Sequence, residues 1–226
     1  MMFKLGIFIL LLSLLEKVSA STTEMLSKPR FSISHGAGVE RQPYIKLIQT
    51  IYEELGFEVS FIAAPAKRGI MLLNDNVVDA DVIRLKPTVV KYDNVILVEP
   101  ALAKGSLMLF CHKNVPCELS VLHSKTTQIQ THRGILNQFE PGELKAQILL
   151  SEMPKNTLNM LQESRVFYAL STVDEPELEA LSNKFNYVKI KDVFGYHVIH
   201  KKHAYLLPKI QQKLRRKLPQ FAASRD

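Results

Sequence analysis

The chain carries none of the short signatures that announce an enzyme. It has no G-x-S-x-G elbow, no H-E-x-x-H pair and no glycine-rich loop of the P-loop or dinucleotide type. Serine, histidine and aspartate are plentiful, but no spacing singles out a triad; since triads assemble from distant residues, this weighs against catalysis without excluding it. No internal repeat or low-complexity tract is present. Only one stretch is strongly apolar, Leu5 to Leu15, and its eleven residues fall short of the roughly 17–25 needed to cross a bilayer. Cysteine is reduced to Cys111 and Cys117, and none stands at residue 20 or 21 to carry a lipid anchor.

What is present begins with MMFKLGIFILLLSLLEKVSA. Lys4 supplies a positive start, the apolar stretch follows, and Val18-Ser19-Ala20 offers small residues for cleavage. Residues 1–20 are therefore expected to be a signal peptide cleaved after Ala20, releasing a mature chain beyond the inner membrane, in the periplasm. The remaining 206 or so residues suffice for one large domain or two modest lobes. An apolar content of 46% argues for a packed globular protein. In an oxidising compartment CHKNVPC favours a Cys111–Cys117 disulfide. Free thiols, or a metal held by Cys111, His112 and Cys117, are the alternatives, the last without the usual zinc spacing.

The formal charge is +7, and Lys201, Lys202, Lys209, Lys213, Arg215, Arg216 and Lys217 concentrate it near the C-terminus. Charge alone admits a nucleic-acid partner, which export makes improbable. These residues alternate with Leu206, Leu207, Ile210, Leu214 and Leu218, the spacing of an amphipathic helix with a solvated basic face. Docking of that face on an acidic surface is the other reading.

Coarse periodicity gives an α/β order. Phe31 to Ser34 is extended and His35-Gly36-Ala37-Gly38 a loop. Tyr44 to Leu55 puts Ile45, Ile48, Ile51, Tyr52 and Leu55 on one helical stripe ended by Gly56. Phe57 to Ile62 alternates as a strand, Pro65 opens a helix through Leu73, and Val82-Ile83 and Val95 to Val98 start further strands. Leu102 to His112 is partly extended, interrupted at Lys104-Gly105. Then follow a strand at Thr127 to Thr131, a turn entering a helix at Gly134 to Gln138, and a strand at Gln147 to Leu150. Asn156 to Glu163 is helical, Val166 to Leu170 a buried strand, Glu175 to Leu181 a helix and Tyr187 to Ile190 a strand. Alternation of this kind predicts mostly parallel sheets with helical crossovers.

Ligands of such sheets collect beyond the strand carboxyl ends. Arg68, near the start of a crossover helix, and Arg84, placed just after a strand, are candidates to share that crevice, because a guanidinium fork holds a carboxylate or phosphate with two hydrogen bonds. Each has a plain salt-bridge alternative. Asp79 and Asp81 read as turn and strand-edge residues rather than a metal pair. Tyr44, Tyr92, Phe110, Phe139 and Tyr196 are candidate stacking faces, with the core as the alternative. Arg133-Gly134 offers backbone N–H groups at a strand-to-helix turn. Glu140 and Glu143 would suit a cationic part of a ligand, or simply face solvent. His197, His200 and His203 would form a zinc stripe only if that whole segment were helical.

Several segments, in order, resemble extracellular solute-binding proteins of family 3, the periplasmic amino-acid-binding type. They are PYIKLIQTIYEELGFEVSF, PAKRGIMLLNDNVVDADVIR, NVILVEPALAKGSLMLFCHKN, LNMLQESRVFYAL and FGYHVIHKKHAYLLPKIQQKL, which together cover about Phe31 to Leu218. The resemblance is greatest to the compact members of the group. It implies a two-lobed clamp of the type 2 periplasmic-binding fold, with residues 21–105 as lobe 1, 106–190 as lobe 2 and 191–226 a C-terminal helical segment returning to lobe 1. It further implies binding of a small anionic or zwitterionic solute without a cofactor or metal, and delivery to an ABC permease or report to a membrane sensor. Some relatives of the fold are dehydratases, for which His35 or Glu140 would be the acid or base. The resemblance implies His35, Arg68, Arg84, Arg133 and Gly134 as ligand residues, to which Tyr44 and Phe110 are added as stacking faces. Three departures point away from an ordinary amino acid. Phe167 stands where the family's amine-binding aspartate is expected, the hairpin after the first strand is abbreviated to HGAGVERQPY, and the family's arginine clamp for an α-carboxylate has no evident partner after Gly105.

Overall fold

The computed structural model describes residues 27–36, 42–151 and 154–223. The expected signal peptide and cleavage point, most of the polar leader from Ser21, and residues 37–41 of HGAGVERQPY lie outside the described residues. Eight strands form one sheet: β1 (Arg30–His35), β2 (Glu58–Ala63), β3 (Ala80–Leu85), β4 (Val95–Cys111), β5 (Gln128–His132), β6 (Gln147–Ser151), β7 (Tyr168–Val173) and β8 (Asn186–His200). The helices are α1 (Gln42–Glu54), α2 (Ala66–Asn74), α3 (Lys86–Val89), α4 (Arg133–Leu136), α5 (Pro154–Gln162), α6 (Glu175–Ser182) and α7 (Leu207–Ala223), with 3-10 turns at Leu119–His123 and Lys201–Leu206.

The strand order is β2-β1-β3-β8-β4-β7-β5-β6. Two long antiparallel strands, β4 and β8, make the central ribbon. Gly105 does not break β4; the chain continues extended through it to Cys111. Likewise Tyr187 to Ile190 is only the beginning of a 15-residue strand that carries His197 and His200. Those two histidines therefore lie along extended backbone, and no helical zinc stripe exists. Among the described residues no cluster of histidine, cysteine, aspartate and glutamate is placed to hold a metal ion.

The registers divide this sheet into two lobes. On the ribbon, β3 pairs with the carboxyl end of β8 alone, Ala80 opposite Ile199 and Leu85 opposite Gly195. Likewise β7 pairs with the carboxyl end of β4 alone, Ser106 opposite Val173 and Cys111 opposite Tyr168. Because β4 and β8 run antiparallel, those ends lie at opposite extremities of the ribbon, and so do the strand triplets attached to them. Between the lobes the ribbon is irregular: Val98 faces His197, yet the next pair is Ala103 with Gly195.

Each lobe is covered on both faces, as mostly parallel strands require. In the first, Ile45, Ile48 and Ile51 of α1 and Ile210 and Leu214 of α7 bury one face with Phe31, Ile33 and Val82. Ile70 and Leu73 of α2 cover the other, with Val198. In the second, Leu107, Leu109, Ile129 and Leu170 form one core and Met108, Phe110, Leu161 and Ala169 the opposite one. Complete burial of such side chains contributes about 1.5–3 kcal/mol each. Cys111 and Cys117 are bonded, closing a small loop after β4.

Two polar knots, the first buried and the second half-buried, fix the first lobe. The Tyr52 hydroxyl and the His197 Nε2 are 2.9 Å apart, and His197 Nδ1 lies 3.3 Å from the Val82 carbonyl. A carbonyl only accepts, so Nδ1 holds the proton and the tyrosine hydroxyl donates to Nε2. Burial pushes the His197 pKa down to about 4, keeping the ring neutral. Asp79 accepts from the Ser32 amide (2.8 Å), the Ser32 hydroxyl (2.9 Å), His203 (2.8 Å) and Lys202 (2.8 Å). Burial opposes its charge, but these donors win and hold its carboxyl well below the usual carboxylate range.

Candidate functional site

β1, β2 and β3 are mutually parallel, so His35, Ala63 and Leu85 mark their carboxyl ends. β5, β6 and β7 are parallel as well, and end at His132, Ser151 and Val173. Leu85 lies opposite Gly195, which is opposite Ala103, while Val173 lies opposite Ser106. The carboxyl ends of both triplets thus approach the same short stretch of ribbon from opposite sides. Open α/β sheets hold ligands at such ends, where loops and helix starts offer unspent polar groups. Gly105 lies inside this stretch, and a Cβ on it would sit 2.7 Å from the Val173 carbonyl oxygen, so only glycine allows this approach.

The lobes also touch beside this mouth. Leu85 packs against the second-lobe core that contains Ile135 and Val193. Just past α3, the Lys91 ammonium donates to the Asn137 side-chain oxygen at 3.2 Å, at the end of α4.

Five of the residues expected from sequence lie at these strand ends. His35 ends β1, half-buried, its Nδ1 2.8 Å from the Gly36 carbonyl oxygen. Arg68 is exposed on the first turn of α2, and Arg133 is exposed at the start of α4. The Gly134 amide is already engaged by the His132 Nδ1, 3.2 Å away, which caps that turn.

Arg84 is at the right end of β3 but not free, and it lies within the strand rather than after it. It forms a buried ion pair with Asp81, the two side chains 5% and 1% exposed. The same Asp81 oxygen accepts from the Ser34 hydroxyl at 2.5 Å. Three residues apart, the partners would point to opposite faces of a regular strand. Between them, however, β3 advances three residues while β8 advances two, from Val198 to Tyr196. This β-bulge returns Arg84 to the face of Asp81. Asp81 is thus neither a turn residue nor an edge residue but the internal counter-ion of Arg84. Gly69 of α2 completes the arrangement; a Cβ there would collide with the guanidinium and lie 3.0 Å from the carboxylate.

Two expected aromatic residues are core residues instead. Phe110 is fully buried between Phe185 and Tyr187, with ring centroids 6.2 and 6.3 Å away. Tyr44 packs its ring 5.2 Å from Phe221 in the first-lobe core. Phe139 is covered by Lys191, 5.5 Å above its ring. The aromatic side chains that do reach the middle of the ribbon are Tyr196, half-buried, and Phe194, which is 41% exposed. Sequence reasoning missed Phe194, although its two-residue spacing from Tyr196 places both on one face of β8. Phe167 also changes place: its carbonyl pairs with the His112 amide at the start of β7, the end away from the mouth. The acidic residue beyond the carboxyl end of β7 is Asp174, which caps α6 by accepting from the Glu177 amide at 3.1 Å.

No family model and no curated protein matches the chain. Solved structures do. An ancestral arginine-binding protein bound to arginine superposes with a TM-score of 0.68 at 15% identity, over 87% of this chain and 98% of that one. A histidine kinase sensor domain similar to periplasmic binding proteins gives 0.68 at 18%, over 88% and 95%. An ancestral amino-acid-binding protein, a precursor of cyclohexadienyl dehydratase, gives 0.69 at 15%, over 86% and 94%. No helix among the described residues is long and apolar enough to cross a membrane. The chain has the two-lobed fold of the periplasmic binding proteins.

Proposed function

We propose that this chain binds a small anionic or zwitterionic solute between its lobes and closes on it by bending the β4–β8 ribbon. The observation that carries this reading is the convergence of two sets of strand carboxyl ends on Ala103 to Ser106, with Arg68 exposed on one lobe and Arg133 on the other. Two guanidinium groups would exchange hydration for charge-assisted hydrogen bonds to the ligand. Arg84, already neutralised by Asp81, would shape the pocket rather than grip the anion. Phe194 and Tyr196 would supply apolar cover. The apolar leader fits release into the periplasm, where such a clamp hands its solute to an ABC permease or reports occupancy to a membrane sensor. The arginine-binding structure supports solute binding, and the sensor-domain structure supports the sensing use. Binding, rather than dehydratase-like turnover, is the reading favoured by a mouth that exposes Arg68, Arg133 and Lys104 and whose neighbouring carboxylate, Asp192, is already paired with Lys189.

The test is a thermal-shift screen of residues 21–226 against amino acids, dicarboxylates, sugars, phosphates and polyamines. A ligand at a hundred times its Kd stabilises the folded state by about 2.7 kcal/mol, enough for a clear rise in Tm. The expected result is a shift with anionic or zwitterionic compounds that Arg68→Ala and Arg133→Ala each abolish, the ligand being recovered unchanged. A shift indifferent to both substitutions, or confined to sugars or polyamines, would refute the assignment.

A further inference from the structure

The formal charge of this chain has a single origin. Residues 201–223 hold seven lysines and arginines and no aspartate or glutamate; the rest contains 22 basic and 22 acidic residues, so the segment carries the whole excess of +7. Lys213 and Lys217 bind Glu54, at 2.7 and 2.6 Å, and Lys202 binds Asp79. Lys201, Lys209, Arg215 and Arg216 are exposed and have no ion-pair partner among the described residues. Ile210 and Leu214 turn the opposite side of α7 into the core, so Lys209, Arg215 and Arg216 share its outward face.

Exposed apolar groups accompany these charges. Tyr205, between Lys201 and Lys209, is 67% exposed. Val77, 62% exposed, is two residues from Asp79, the partner of Lys202. The cluster lies away from the solute mouth, since the His200 amide and Ser32 both meet Asp79, immediately before the amino-terminal end of β3.

We propose that this face docks on an anionic phospholipid surface. The cations do not converge on a pocket, as recognition of one fixed carboxylate would require. Lys209, Arg215 and Arg216 lie in a row over about 10 Å of α7, with Lys201 in the 3-10 turn before it, which suits a fluid layer of phosphate headgroups. A tyrosine with an apolar ring and a polar tip, flanked by long flexible lysines, is suited to the headgroup boundary. Docking there holds the protein at the membrane while the mouth stays accessible. The proposal does not depend on solute binding.

The chain contains no tryptophan, so Tyr205→Trp installs a unique reporter. Residues 21–226, which omit none of the described fold, are mixed with vesicles of phosphatidylcholine alone or with about 30% phosphatidylglycerol. Sedimentation and a blue shift of the indole emission are expected only with the anionic vesicles, with binding reduced at least tenfold in about 0.5 M NaCl, where charges are screened within a few ångströms. Lys209→Glu/Arg215→Glu/Arg216→Glu should abolish sedimentation. Lys125→Glu/Lys145→Glu/Lys184→Glu, an equal change of net charge on exposed residues elsewhere, should retain it. Failure to sediment, equal loss in both triple variants, or an unshifted indole emission overturns the proposal. Retention on immobilised polyglutamate without vesicle binding also overturns it, in favour of an acidic protein partner.

Discussion

Replacing Arg84 by alanine should unfold the first lobe far more readily than loss of an exposed arginine would. In the native protein one Asp81 oxygen receives both the Arg84 guanidinium and the Ser34 hydroxyl, and the other faces the Ile83 amide at 3.3 Å. Arg84→Ala leaves a carboxylate that is 1% exposed with one hydroxyl and one marginal amide. Removing one partner of such a buried pair costs about 3–5 kcal/mol. Gly69 probes the same geometry from the neighbouring helix. In an ordinary helix Gly→Ala stabilises by about 1 kcal/mol. Here the added methyl meets the guanidinium, which would swing aside cheaply were it not held by Asp81. Gly69→Ala alone should therefore cost about 1–3 kcal/mol, as overpacking does. With Arg84 already truncated the collision disappears, and Gly69→Ala should become neutral or stabilising.

The assay is a double-mutant cycle by urea unfolding at pH 7, comparing midpoints at a common slope. The expected coupling is roughly 2 kcal/mol or more, and of a sign that makes the double variant more stable than the two single penalties add up to. Additive penalties would refute the placement of Gly69 against the guanidinium. An Arg84→Ala cost below about 1 kcal/mol would refute the buried pair itself. The same energetics explain why Arg84→Ala is a poor test of ligand binding, since the variant would lose a thermal shift by losing its fold.

Acidification should weaken the protein through His197. Its folded pKa of about 4 lies below the unfolded value of about 6.5, so the unfolded chain binds the extra proton and stability falls as pH drops through that window. About 2 kcal/mol should be lost between pH 7 and pH 5, read as a shift of the urea midpoint, and His197→Gln should flatten the dependence; an unchanged slope in that variant would show that the ring is not the titrating group. His200 is lowered in the same direction by burial and then by Lys202, adding to the slope in both proteins. Reduction of Cys111–Cys117, six residues apart, should lower stability by about 2 kcal/mol on loop-closure grounds, measured as a urea midpoint shift with and without a reductant; a Cys111→Ala/Cys117→Ala protein unmoved by reductant is the control, and an unmoved wild type would contradict the estimate.

The parts of this molecule legible in its sequence are those set by neighbours a few residues apart. The α1 stripe, the stop at Gly56, the alternation of β2 and the apolar side of α7 all follow from local periodicity. What the sequence could not reveal depends on pairing between distant segments. His197 and His200 have a spacing compatible with a helix, and only their registry with Val98 and Val95 makes them strand residues. Phe167 lies in the right strand region but at the wrong end, because the polarity of β7 relative to the mouth is decided by its pairing with β4, sixty residues or so earlier in the chain. Arg84 is the strongest case. Local alternation puts it on the face opposite Asp81, free to meet a ligand, and one extra residue against β8 reverses that. An arginine that local alternation would turn toward a ligand thus becomes the partner of its own strand, and the positive charge left exposed near the mouth is that of Arg68, Arg133 and Lys104. Under the proposed clamp reading, an anion would be gripped by one guanidinium from each lobe, and affinity and lobe closure would then be coupled through these two residues.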